Sequence, residues 1–368
     1  MSLRRFVHLV ANEIGDRGCY SLRRIDTSRL FFPRAIAGFD FGAGAGAAVV
    51  DLLALPPDGG DAGPLPDPVM DFYPPPPPSP GMPRPVDFML LGSPDGQHDE
   101  VVSVDNKGST LVTDAGAASS RRLPGLARPK GTFPIISLTA GDTLYAMDAL
   151  PTRFGGGAGF QSLRRGEGHW RDLHPHPLSR HETHGFSHLT VSYAAGTSIL
   201  VSSKGAGTYS FDTAERPLGA WSLAGDWAMP FRGLAVHVPE HRLWFGISLS
   251  GSGGGGGGGH PFCAANLACG AGAWGKLWPP APAIHGLWME YALPEAAAGW
   301  RLVDSRAVYL GASRFCIVRL FEVVSWRSAS GSPYDEPRQV SEGTHALFTG
   351  VEVQSCGQAL RVLRHRSE

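Results

Sequence analysis

No apolar run in this chain approaches the roughly 20 residues that a helix needs to span a bilayer. The apolar opening Phe6–Val10 is interrupted by His8 and ended by Asn12 and Glu13, too early for a signal-peptide core. Arg17, Arg23, Arg24, Arg29 and Arg34 give the first stretch a basic bias, but Glu13, Asp16 and Asp26 dilute it, and strand-like alternation accounts for it as well as organellar targeting does. Five cysteines, Cys19, Cys263, Cys269, Cys316 and Cys356, are odd in number and contain no C-x-x-C pair. That argues against a disulfide framework and leads to the expectation of a reduced, intracellular protein, cytoplasmic or nuclear. Charge of one sign is also missing: 32 basic and 33 acidic residues leave a formal net charge of −1, no footprint for nucleic acid or an anionic membrane. Long amphipathic helices are absent too, with one turn at most between Glu295 and Trp300.

What is abundant is turn chemistry. Gly 49 and Pro 31 together make roughly 22% of the chain against a usual ~12%, while the apolar fraction is an ordinary 42%. Many short strands joined by tight turns fit that balance. Leu3–Val10 and Cys19–Asp26 read as a hairpin, and residues 38–53 are Gly/Ala-rich and poorly patterned. From Pro56 to Pro85 there are 13 prolines, read as an insert forming an extended edge connection or a polyproline-like loop, because proline donates nothing to a ladder. Strand patterning resumes at Val86, with Asn106-Lys107-Gly108 as a hairpin turn in which Asn and Gly take positive φ.

The densest β-grammar lies between Gly196 and Ser248, where runs at Ser198–Ser203, Gly207–Asp212, Trp221–Trp227, Leu234–Val238 and Arg242–Ile247 follow one another across turns. Tyr145-Ala-Met-Asp148 parallels Tyr209-Ser-Phe-Asp212, and each precedes a tryptophan, Trp170 or Trp221. Cys263-Ala-Ala-Asn266 before Trp274 is a third copy. The anchors lie 64 and 54 residues apart, near the period of about 50 in kelch arrays once loops such as Gly253–Gly259 are allowed for. The expected fold is therefore all-β: a kelch-like β-propeller of six blades in one domain, residues 1–368, closed by its N- and C-terminal strands. Tyr209, Phe211, Trp221, Trp227 and Trp244 are read as packing between blades, since a sheet alone cannot bury enough surface to offset its ordering entropy. Asp212 is read as closing its own turn.

At Asp226–Gly246, D-W-A-M-P-F-R-G-L-A-V-H-V-P-E-H-R-L-W-F-G, the sequence resembles a large plant family, expanded in grasses, that carries only a domain-of-unknown-function label. The stretches R-R-F-V-H-L-V and Y-S-L-R-R-I-D within Arg4–Asp26, the L-P-x-L-x-x-P-K-G pattern at Leu123–Gly131, G-T-Y-S-F-D-T at Gly207–Thr213 and F-T-G-V-E-V at Phe348–Val353 carry the same resemblance across nearly the whole chain. It implies a kelch-like propeller and no catalytic residue. The diglycine of a regular kelch repeat is missing here.

Histidine gives the densest cluster of chemistry-bearing side chains. His169, His174, His176, His181, His184 and His188 fall within 20 residues, and His174, His176, His181 and His184 are the candidate ligands for Zn or Cu. The same residues also read as a solvated Pro-rich connector, and H-E-T-H-G lacks the helical zinc-protease spacing because position 185 is glycine. His260, Cys263 and Cys269 form a second set without an obvious fourth ligand, and a free cysteine is as well explained as a small buried apolar residue. No G-x-S-x-G elbow or phosphate loop is present. The leading expectation is a monomeric, non-enzymatic scaffold that needs no cofactor and binds a protein partner through its loops, with no nucleic acid and no membrane. The alternative is an enzyme or a small-molecule or metal-binding propeller using the axial pocket. Calorimetric titration with Zn²⁺ separates the readings of the histidines: binding tighter than micromolar supports a ligand set, and its absence leaves a solvated connector.

Overall fold

The computed structural model describes residues 4–13, 19–31, 64–73, 86–93, 98–127, 135–148, 159–177, 189–193, 198–203, 206–214, 220–249, 261–267, 283–286, 300–327, 338–356 and 359–367. Nearly all of them are β. Sheet I orders β1 (Phe6–Glu13), β2 (Cys19–Asp26) and β3 (Pro68–Phe72), with a single helical turn, α1 (Ser28–Phe31), after β2. Sheet II runs β4 (Asp87–Leu91), β5 (Glu100–Val104), β6 (Thr110–Asp114), β7 (Ser119–Leu123). Sheet III runs β8 (Ile135–Ala140), β9 (Thr143–Asp148), β10 (Phe160–Arg164), β11 (Arg171–Asp172). Sheet IV holds β12 (Leu189–Tyr193), β13 (Ser198–Ser203), β14 (Gly207–Asp212) and β15 (Trp221–Gly225), and sheet V holds β16 (Phe231–Val238), β17 (Leu243–Ser248), β18 (Phe262–Asn266) and β19 (Ala283–Gly286). Sheet VI is β20 (Trp300–Gly311), β21 (Arg314–Arg327), β22 (Arg338–Cys356) and β23 (Ala359–Ser367). Each is an antiparallel meander, and β12 and β16 pair in parallel to join IV to V.

A meander forms because each strand alternates and each join carries a turn former. Asp105 shows how such a turn is held: its Oδ1 accepts the amides of Lys107 (2.9 Å) and Ser109 (2.8 Å), and Gly108 takes φ +85°. Asp105 and Gly108 therefore close this turn, and Asn106 is not among the residues at positive φ. Asp212 acts as expected, with its Oδ1 accepting the Ala214 amide at 2.8 Å. Part of the proline-rich stretch is a strand. Pro68 opens β3 at the edge of sheet I, a position where a missing N–H costs no ladder bond.

The sheets pack face to face in sequence. Leu22 and Phe72 of sheet I meet Val101 of II, and Leu91 and Val102 of II meet Leu144, Leu163 and Trp170 around III. Tyr145 and Phe160 of III meet Ile199 and Phe211 of IV. Leu200 and Ala224 of IV join Trp244 and Cys263 of V, and Phe245 and Phe262 of V pack on Phe315 and Ile317 of VI. Leu310, Cys316 and Phe348 of VI then meet Val7 of β1 with Leu30 and Phe31 of α1. The first and last strands share no sheet: β1 pairs with β2 and β23 with β22. Contact between the first and last sheets is made by these side chains and by the Arg4 amide donating to the Leu310 carbonyl at 2.6 Å. Tyr209 and Trp221 pack against the III–IV cluster, and Trp227 and Trp244 lie within the IV–V cluster, so the aromatics of the Gly196–Ser248 stretch are packing residues.

The repeat has a different register from the one that the anchors imply. Tyr145–Asp148 lies on β9, the second strand of its sheet, whereas Tyr209–Asp212 and Cys263–Asn266 lie on third strands. Second and third strands are both flanked by neighbours and carry the same apolar patterning, so a sequence parallel does not distinguish them. Asp114, Arg164, Asp212 and Asn266 end the true third strands at intervals of 50, 48 and 54 residues.

Phe160 is fully buried and contacts Phe211 edge-on at 5.0 Å. Phe160→Ala should cost about 3–5 kcal/mol, since it leaves a cavity between two sheets that cannot close without parting. Denaturant unfolding measures this, and a loss below about 1 kcal/mol would mean that the III–IV contact is not an essential joint.

Candidate functional site

The first strands of sheets II to VI lie beside one another in sequence order, which brings β16 against β20. Both strands are bulged where they meet. In β16 the register with β17 shifts between Arg232 and Val236, and the stretch Gly233–Val236 is the one that pairs with β12. Gly233 permits this turn-out with φ +70°. In β20 the register shifts between Leu302 and Asp304, leaving Val303 unmatched. Such bulges re-aim side chains, and here two apolar ones face water: Leu234 at 38% and Val303 at 48% exposure.

Charged groups flank them. Asp304 Oδ2 accepts Arg306 Nε at 2.8 Å, Asp304 Oδ1 accepts the Ser305 amide at 2.9 Å, and Arg232 Nη2 stands 3.7 Å from the same carboxylate. A Cβ on Gly233 would sit 3.5 Å from Arg306 Nη1, so the guanidinium lies over that glycine while its side chain stays 62% exposed. The site comprises two exposed aliphatic side chains on adjoining strands, two cations and one anion. It can bind, and it presents no nucleophile.

Other polar clusters stitch sheets together. Asp99 is buried, with Oδ1 accepting the Ser93 amide at 2.9 Å and Arg4 Nη2 at 3.3 Å, and with His8 Nε2 3.3 Å from Oδ2. Burial alone would raise its pKa, but the His8 contact, the Arg4 charge and the Ser93 amide together hold it below the usual carboxylate range. Arg165 donates to the carbonyls of His98 (2.8 Å) and Leu91 (2.7 Å) and to Glu100 (3.1 Å), tying sheet III to II. His241 lies between two hydroxyls, Ser355 Oγ at 2.8 Å from Nδ1 and Ser313 Oγ at 2.9 Å from Nε2. A serine beside an imidazole has the form of a nucleophile and base. Here the second nitrogen meets a hydroxyl instead of the carboxylate that would orient the ring in a catalytic triad. The pair instead braces the turn in which Ala312 and Ser313 take φ +49° and +58°.

The predicted histidines are divided. His174 is exposed, and its carbonyl accepts Trp221 Nε1 at 3.0 Å. His176 is fully buried beside the Asp148 main chain. His181 and His184 lie outside the described residues, as do His260 and Cys269 of the second set, residues 38–53 and, of the turn expected between Glu295 and Trp300, all but Trp300, which opens β20. Among the described residues no three His, Cys, Asp or Glu side chains gather at metal-binding distance. Cys263 and Cys316 are buried, which pushes their thiols up to about 12 and leaves them as small apolar residues. The β16–β20 site escaped the sequence reading because R-G-L and L-V-D looked like plain strand. The available signal was a glycine inside a strand pattern, which marks a bulge.

The family described as "Protein of unknown function (DUF1668)" matches residues 4–368. No curated protein matches the chain. Among solved structures it is similar to dihydro-heme d1 dehydrogenase NirN in complex with DHE, at 12% identity and a TM-score of 0.35 over 100% of this chain and 74% of that one. It is also similar to the alpha-L-arabinofuranosidase PaAbf62A from Podospora anserina in complex with cellotriose, at 10% identity and a TM-score of 0.33 over 71% of this chain and 89% of that one. The WD40 domain of SCAP from fission yeast gives 10% identity and a TM-score of 0.33 over 83% of this chain and 70% of that one.

Burial holds the His176 imidazole down to about 4 against the opposing pull of the Asp148 main chain. In the unfolded chain it protonates near the ordinary ~6.5, so between those values the unfolded state binds more protons and stability falls as pH is lowered. His176→Phe should flatten that limb by an amount on the order of 2–3 kcal/mol. Asp26, for which burial is outweighed by Arg5 and Ser28 to give a value of about 2, acts only at lower pH. Thermal unfolding from about pH 7 down to 4.5 measures the difference, and an unchanged acid limb in the variant would assign the loss to another group.

Proposed function

We propose that this chain, which belongs to the DUF1668 family of proteins of unknown function, is a non-enzymatic interaction scaffold. Its six sheets stand as kelch-like blades of a closed ring and offer a protein partner the patch where β16 meets β20. The observation that carries this reading is the exposure of Leu234 and Val303 on adjoining bulged strands, bordered by Arg232, Asp304 and Arg306. An apolar centre with a charged rim is the usual anatomy of a protein contact surface. The ionisable groups named above support it further: Asp99, Arg165, Glu100 and His241 are engaged in joints between sheets.

Free Cys19, Cys263 and Cys316 accord with an intracellular setting, which we place in plant cells, and no helix of the described residues is long and apolar enough to cross a membrane. The protein acts as a monomer and needs no cofactor. The test is quantitative affinity capture from grass tissue with the native chain and with the Leu234→Ser/Val303→Ser double variant as baits. Both positions are exposed, so the variant should keep its melting temperature within a few degrees. Partners held by the native chain should be depleted from the variant at least fivefold. A partner set indifferent to the double change would reject the patch as the docking surface.

A further inference from the structure

We infer that the first-strand position of sheet I, which no described strand fills, takes residues 47–55 of this chain as an extended strand antiparallel to β1. The inference is independent of the β16–β20 patch.

Direction shows which strand is wanting. Arg4, just before β1, lies at the far end of β4, where a Cβ on Gly92 would meet its Nη2 at 3.1 Å. Tyr20, opposite Asn12 near the end of β1, has its ring 5.1 Å from Phe88 near the start of β4. β1 therefore runs against β4, as the second strands of the other sheets run against their first, and β2 and β3 hold the third and fourth places. Turn chemistry agrees. Asp26 at the end of β2 accepts the Ser28 amide on Oδ1 at 3.0 Å, and Asp114 and Asp212, which end third strands, accept those of Gly116 and Ala214 at 2.8 Å.

The place beside β1 is open. Among the described residues β1 pairs with β2 alone, so every second residue of β1 turns its N–H and C=O toward no described strand. Burial tells the same: the central residues of the second strands β5, β9, β13 and β17 are buried, whereas Leu9 and Val10, on opposite faces of β1, are half-buried.

The connection between β2 and β3 supplies the occupant. α1 follows β2 at the end where β1 starts, and β3 enters from that end. Residues 32–48 reach roughly 55 Å when extended, against about 27 Å for β1, so the chain can cross to the far end and return as a strand. Residues 56–63 then reach roughly 25 Å, more than the ~14 Å between first and fourth places in a sheet. Between them, A-A-V-V-D-L-L-A-L is a nearly unbroken apolar run ended by Pro56, the pattern of a strand buried on both faces. The first strand of sheet II, D-F-M-L-L, has the same character. Residues 74–85, the other stretch next to sheet I, are too rich in proline to donate to a ladder.

Hydrogen exchange read at single amides tests this, with a fluorescein-labelled peptide of residues 47–55 as probe. In the native chain the β1 amides that point away from β2 should exchange as slowly as those of β5. Val49→Pro/Val50→Pro, at adjacent positions so that one of them removes a ladder donor, should speed these amides at least tenfold and leave β13 unchanged. Deletion of residues 38–55 should do the same, and the deleted chain should bind the peptide at least tenfold more tightly than the native chain does, with protection restored. If the deleted chain does not fold, the proline variant alone decides. Fast exchange of these amides in the native chain, or exchange indifferent to the proline pair, would overturn the proposal. Equal binding of the peptide by native and deleted chains would overturn it too, and would mark β1 as an edge open to a partner's strand.

Discussion

Every sheet of this protein is apolar on both faces, and a four-stranded sheet cannot leave either face in water. That constraint organises the rest. Phe160 between sheets III and IV, Phe262 and Phe315 between V and VI, and Leu30 with Phe31 between VI and I are all buried at joints of this kind. Each face is covered by the neighbouring sheet, so stability is distributed over a series of equivalent contacts and not gathered in one central core. The polar stitches follow the same seams. Arg165 clips III to II, Asp99 holds Arg4 and His8 against the edge of II, and His241 braces V to VI.

This use of the faces limits where binding can occur. With both faces of a sheet occupied, the surfaces left are turns, outer edges and the exposed sides of the first strands. The β16–β20 junction belongs to the last group, and two bulges distinguish it. A regular pair of strands would have continued the ladder and turned Leu234 and Val303 into packing residues. The two extra residues in β16 and the one in β20 instead accompany exposed apolar side chains, Leu234 and Val303, near a cluster of three charges.

Much of the architecture was legible in the residues. The strands at Ser198–Ser203 and Gly207–Asp212 fall where alternation placed them, Asp212 closes its turn, and the tryptophans and tyrosines of that stretch pack between sheets. The repeat was legible in kind but not in phase, because Tyr145 and Tyr209 sit on strands with equal burial and different rank in their sheets. Pro68 falls in the stretch read as an extended edge connection or polyproline-like loop and opens β3 at the edge of sheet I, where a proline is accepted as a first residue. The candidate site was the least legible part. Arg232 and Asp304 are 72 positions apart in the chain and meet at 3.7 Å only because sheets V and VI stack. The histidines, by contrast, are close in sequence, and His174 and His176 still fall in different environments, one ring in water and the other in the interior.

The sequence by itself determined that the chain is β and that its strands are short. Those properties depend on alternation and turn residues, which act over fewer than ten positions. Tertiary structure alone decided which aliphatic residues remain exposed and which charges adjoin them. Exposure at Leu234 and Val303 depends on the two register shifts and on the stacking of sheet V against sheet VI. Both are outcomes of pairing between distant segments, where no local pattern reaches.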